Sequence, residues 1–190
     1  MKTIIKLCLA LFVIVLVAAG VSPYYRLYQL KQAYDAKQYE TLVAAVDFET
    51  LRPNLKTQLY DKADNITQNL PKELSALGLD ESRVQAFANK MIDSAVDGTI
   101  THENAMRLAR GEYRLGEQVA GLVMLTGWGA DGDVSSGDPN QDSPDAKDYQ
   151  LGYCGLNCFF VKTDIKGKMV EARLSRQGWF DWKIDNIILP

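Results

Sequence analysis

The chain has 190 residues, 47% hydrophobic and 24% charged, the make-up of one globular domain with an appendage and not of a disordered chain. A formal net charge of −3 supplies no basic footprint for neutralising phosphates, so nucleic acid is excluded as the expected partner. One histidine and three cysteines are too few for most multi-ligand metal centres, and no cofactor is expected.

Residues 1–22 read as a targeting segment. Lys2 and Lys6 precede an uninterrupted apolar run from Leu7 to Val21. That run matches a signal-peptide core and falls slightly short of the ~20 residues of a spanning helix, a gap that Ile4 and Ile5 close if Lys6 snorkels. "AAG" before Val21 offers a small-residue cleavage site, whereas Tyr24, Tyr25 and Tyr28 suit the aromatic belt of a retained anchor. The anchor is the favoured reading: the chain holds a membrane through residues 7–21 with its lysines on the cytoplasmic side and everything after them exported. The alternative is a cleaved signal and a secreted domain. Cys8 lies inside the apolar core and does not mark lipid attachment.

Residues 23–126 read as the helical part of the exported domain. Ser22 and Pro23 look like an N-cap and first helical position, so a helix is predicted to start just outside the membrane, with Leu27, Leu30 and Tyr34 on one face. Helical spacing continues through Leu51, Leu55, Leu59, Ile66 and Leu70, with Pro53 confined to a helix start or a break. From Arg83 to Val96 the residues Val84, Phe87, Ala88, Met91, Ile92, Ala95 and Val96 form an amphipathic stripe, read as core, behind a capping-box pattern at Ser82 and Gln85. A short helix capped by Thr101 and closed by Gly111 follows.

Residues 127–148, "GWGADGDVSSGDPNQDSPDAKD", read as a long loop. "GWGADG" matches the dinucleotide fingerprint literally, but no helix can follow it to receive a pyrophosphate. Asp131, Asp133, Asp138 and Asp142 offer oxygen ligands for calcium, yet the EF-hand register puts Ser136 where glycine is required and Asp142 where glutamate is required. A solvated acidic loop is the better account.

Beyond the loop the periodicity changes from helical to alternating. "YQLGYC", "CFFVKTDI", "KMVEARLSR" and "FDWKIDNIIL" read as a four-stranded meander over residues 149–190, and helices followed by strands indicate an α+β fold with helices packed on an antiparallel sheet. In the third strand Val170, Ala172, Leu174 and Arg176 share the more apolar face, expected to meet the helices apart from Arg176 near the strand end. In the fourth Trp182, Ile184, Asn186 and Ile188 are expected to share a face, with Trp182 and Ile184 as candidates for the wall of a ligand pocket.

Cys154 and Cys158 flank Gly155-Leu156-Asn157. Two thiols and one histidine are too few for structural zinc, and a thioredoxin-type motif needs CxxC at a helix start. A disulfide across a three-residue hairpin loop is expected, with the cysteines opposed and Asn157 in left-handed backbone.

His102 reads as an ordinary polar residue of a first helical turn. Asp181 and Asp185 could pair for acid–base work on a sugar, but aspartates that flank turns are common.

After its apolar N-terminus, "SPYYRLYQLKQAYDAKQYETLVAAVDFETLRPNLKTQL", together with the closing "RQGWFDWKIDNIILP", resembles the bacterial domain-of-unknown-function 2939 family. The resemblance implies an uncharacterised membrane-anchored envelope protein and brings no catalytic residues. In pattern, the helices, "AVDF" and the terminal strands are similar to the cone-shaped, cystatin-like folds grouped with nuclear transport factor 2, a likeness of fold alone. The sequence thus points to a single-pass protein of the bacterial inner membrane whose periplasmic domain binds an envelope protein or small ligand without chemistry. An extracytoplasmic hydrolase-like enzyme is the alternative.

Overall fold

The computed structural model describes residues 2–68, 80–112, 149–165 and 168–189. Its elements are α1 (Lys2–Asp35), α2 (Tyr39–Ala44), α3 (Phe48–Gln68), α4 (Glu81–Thr99), α5 (His102–Ala109), β1 (Gln150–Gly155), β2 (Cys158–Ile165), β3 (Lys168–Arg176) and β4 (Trp182–Ile188). The strands form one antiparallel sheet in the order β1-β2-β3-β4, so the fold is α+β as expected. The expected loop over 127–148, with its four aspartates and its glycine fingerprint, lies outside the described residues.

One helix runs from the apolar N-terminus into the domain. The break expected at Ser22 and Pro23 does not occur, because both lie inside α1. An interior proline leaves the carbonyl four residues before it without its N–H partner. Here that carbonyl belongs to Ala19, and the Ser22 hydroxyl donates to it at 2.7 Å, which is the opposite of an N-cap's role. The helix ends instead in a Schellman motif. Lys37 takes a left-handed φ of 55°, Gln38 N–H donates to Ala33 O and Lys37 N–H to Tyr34 O.

A second interruption was not foreseen. The run expected to continue from α2 into α3 breaks at residues 45–47, where Val46 forms a parallel bridge with Ile184 on the outer edge of β4. Ile184 N–H donates to Ala45 O and Asp47 N–H to Ile184 O, each at 2.8 Å. Asp47 then caps α3, accepting from Thr50 N–H. Farther along α3, Asn54 donates to Asp185 O, while Gln58 donates to Ile187 O at 3.0 Å and accepts from Leu189 N–H at 3.4 Å. The Gln58 amide therefore continues the ladder as a strand residue would, and an edge that could template aggregation is closed.

Two separate cores result. Leu59 and Ala63 of α3 meet Ile92 and Val96 of α4 in one. In the other, Phe159, Leu174 and Trp182 pack under Leu27 of α1, which bears out the inward face assigned to Leu174. The α4 stripe is only half core. Ile92 and Val96 are buried, but Phe87 is 67% and Met91 42% exposed, since only one side of the stripe meets α3. The cap of α4 also differs from expectation: Asp80 accepts from Arg83 N–H at 2.8 Å and takes the Ser82 hydroxyl as well, while Gln85 reaches Asp64 instead of closing a capping box. Thr101 caps α5 as expected, accepting from Asn104 N–H, and Gly111 beyond its end has φ 72°.

In β4 a bulge overrides simple alternation. Leu174 pairs with Ile184 but Arg173 pairs with Asn186, so one extra residue, Asp185, stands between them. Trp182 and Ile184 keep their inward face and Ile187, opposite Ala172, joins them. Asn186 and Ile188 turn to the outer face with Arg173 and Glu171, contrary to the face expected for them.

Candidate functional site: the junction of the first helix and the sheet

The side chains brought together from farthest apart in sequence meet where α1 leaves its apolar run. Trp182 is fully buried and donates its indole N–H to the Ser22 hydroxyl at 2.8 Å. Ser22 Oγ thus accepts from Trp182 while donating to Ala19 O, a relay that satisfies a buried donor and an orphaned acceptor with one hydroxyl. Arg176 supplies the second donor to that carbonyl, with Nη2 at 3.2 Å. Its guanidinium lies 4.6 Å from the centre of the Trp182 ring, and its Nη1 donates to Trp179 O. Arg26, one turn beyond Ser22, donates to Trp182 O and lies 3.9 Å from Asp181. Tyr153 donates its hydroxyl to Gly20 O. Burial pushes the Tyr153 phenol up from its ordinary value.

Aromatic rings fill the remaining space. Phe159 meets Tyr24 edge-on at 4.9 Å and Tyr153 at 5.2 Å, and Trp182 lies 6.4 Å from Phe159. Such edge-to-face pairs add to what burial contributes. Ser22→Ala should destabilise the fold by about 1–3 kcal/mol, because the indole N–H keeps its burial and loses its acceptor. Urea denaturation of the full chain in detergent micelles checks it, and the midpoint is expected to fall without a change in slope.

Cys154 and Cys158 are joined in a disulfide with their Cα atoms 5.1 Å apart. The hairpin around them differs from the one expected. Gly155, not Cys154, pairs with Cys158, the register shifts between Tyr153 and Gly155, and the turn is the two residues Leu156 and Asn157. Among the described residues Lys37 is the non-glycine with positive φ, so Asn157 does not take the left-handed position assigned to it. The bulge aims Cys154 at its partner.

Trp182 and Ile184 belong to the packed cluster under α1. Elsewhere an open groove of about 700 Å³ lies between α1 and α2, lined by Arg26, Gln29, Gln32, Asp35, Gln38 and Thr41 among others. Its walls combine amides, one hydroxyl and one charge of each sign with the methyl groups of Ala33 and Ala36, a mixed lining that offers donors and acceptors to a small molecule. Sequence reading missed the groove because these residues look like the solvated face of a helix, and only the turn at Ala36–Lys37 folds α2 back against them.

Asp181 and Asp185 have different partners. Asp181 accepts from Trp182 N–H and faces Arg26. Burial pushes the Asp185 carboxyl above its ordinary value, against a hydrogen bond to Ser175, and the neighbouring carboxylate that adds to the shift is Asp47, itself occupied in capping α3. On the outer face Glu171 lies between Lys162 at 3.0 Å and Arg173 at 2.7 Å. Burial pushes its carboxyl up, and the bonds from the two cations outweigh it and hold it below the ordinary value. His102 is exposed, with its ring against Phe48. Among the described residues no three His, Cys, Asp or Glu side chains converge as metal ligands, and Asp131, Asp133, Asp138 and Asp142 lie outside them.

Residues 12–108 match the model of a family described as protein of unknown function (DUF2939), a match that spans α1 to α5 apart from the first residues of α1 and the last of α5 and stops before the sheet. No curated protein and no solved structure matches the chain.

Proposed function

Because the chain belongs to the DUF2939 family of proteins of unknown function, with just over half its length inside the family match, we propose a function from its own geometry: a membrane-anchored module of the bacterial envelope that binds a small polar ligand or an envelope partner without chemistry. The observation that carries the anchoring is the unbroken α1. A helix long and apolar enough to cross a membrane continues into the domain and is gripped there by Arg176, Tyr153 and Trp182. A signal peptide cleaved near Val21 would take away the carbonyls of Ala19 and Gly20 that the sheet holds, so the fold itself favours retention. The disulfide favours an oxidising compartment, which with Lys2 and Lys6 on the cytoplasmic side is the periplasm. Ligand binding is assigned to the groove between α1 and α2 for its mixed donors and acceptors.

The test is N-terminal sequencing of the protein recovered from membranes, with carbonate extraction alongside. Retention predicts a chain that begins before the apolar run and resists carbonate. A soluble chain starting near Val21 would replace the anchor with a cleaved signal.

A further inference from the structure

One end of the sheet lies beside the apolar run of α1, and its turns carry exposed apolar side chains. In an antiparallel meander the β1–β2 and β3–β4 turns lie at the same end of the sheet. Contacts place that end beside the last turn of the apolar run: Tyr153 reaches Gly20, Arg176 reaches Ala19, and Trp182 reaches Ser22. Arg176 N–H also donates to Asn157 O, which ties the two turns together. Phe159 stands at Tyr24, and its cross-strand partner Tyr153 reaches back to Gly20. At the tips are Leu156, 90% exposed, Trp179, 72% exposed, and Phe180, 52% exposed. Their neighbour Arg176 has no ion-pair partner among the described residues, and its guanidinium is spent on backbone carbonyls and an aromatic face.

We infer that Leu156, Trp179 and Phe180 form an interfacial foot that seats in the outer boundary of the same bilayer that α1 crosses. The inference rests on the anchoring reading above. Indole and phenyl rings beside an arginine at the height where a spanning helix leaves the hydrocarbon are the composition of a membrane-interface belt. The occupant follows from position: with Ala19 and Gly20 at the outer end of the apolar run, the surface within reach of these tips is lipid. The Cys154–Cys158 bridge closes the base of the Leu156 turn and limits its freedom to fold away.

The experiment uses the full chain with Trp128→Phe, so that emission comes from Trp179 and Trp182 alone. It is reconstituted in phosphatidylethanolamine–phosphatidylglycerol vesicles whose acyl chains are brominated at shallow or deep positions, and the same vesicles are extracted with carbonate. Expected are resistance to carbonate and quenching of Trp179 that is strongest for shallow bromines and is lost in Trp179→Ala, whose remaining blue-shifted Trp182 emission verifies the fold. A carbonate-resistant chain whose Trp179 is unquenched at every depth would overturn the foot and leave the anchor standing, the patch then being free for a protein partner. A carbonate-soluble chain would overturn the anchoring reading and the foot together.

Discussion

Trp182→Ala is expected to destabilise the folded chain by about 3–5 kcal/mol, a fifth or more of a marginal domain's stability, whereas Trp179→Ala should stay within about 0.5 kcal/mol. Trp182 is fully buried between α1 and the sheet, so truncation opens a cavity lined by Phe159, Leu174 and Leu27. It also removes the donor held by Ser22 and the ring under Arg176. Trp179 sits three residues away with 72% of its surface exposed and contributes only its backbone carbonyl to Arg176. Urea unfolding of both variants, followed by circular dichroism in detergent micelles, separates them. Equal midpoints would mean that the helix–sheet junction does not hold the fold together.

Leu59→Ala should cost about 2–5 kcal/mol through the other core. Leu59 is 1% exposed and packs with Ala63 against Ile92 and Val96, where the surroundings can collapse little because Ile92 and Val96 are themselves fixed on α4. The ion pairs of Lys56 with Asp93 at 2.9 Å and Asp97 at 2.8 Å span the same two helices, but their carboxylates are half exposed and cannot make up for a lost core side chain. The two clusters share no residue, so the Leu59→Ala, Trp182→Ala double variant should lose close to the sum of the two effects, provided enough stability remains to measure it. A marked departure from additivity would show that α3, which touches both α4 and the edge of β4, couples the cores.

What could be read from the sequence was whatever depends on local spacing. The four strands emerged within a few residues because alternation in "CFFVKTDI" and "KMVEARLSR" needs no distant partner to be visible. The cap at Thr101 did too. Misreadings arose where a distant group decides the outcome. Ser22 and Pro23 carry every local mark of a helix start, and the helix continues because Arg176, 157 positions from Ala19, helps Ser22 to satisfy the freed carbonyl. Asp80 displaced the capping box at Ser82 by standing two residues earlier. The bulge at Asp185 has no glycine to announce it, and the Asp185-Asn186 pair, though of turn type, sits inside an otherwise alternating run; it becomes intelligible only once Asn54 is seen to bond the Asp185 carbonyl from α3. The groove between α1 and α2 was invisible for the same reason, since it is made by a chain reversal that brings one ordinary polar face against another.

The uninterrupted α1 has a mechanical consequence. A domain on a flexible stalk samples many orientations and can search the space around it, whereas this one has no slack between the apolar run and the residues the sheet grips. If α1 rolls about its axis or leans to match a thinner bilayer, the sheet must turn through the same angle. The groove between α1 and α2 then swings with it, so under the anchoring proposed above the lie of the lipid would set the direction in which the proposed binding groove faces.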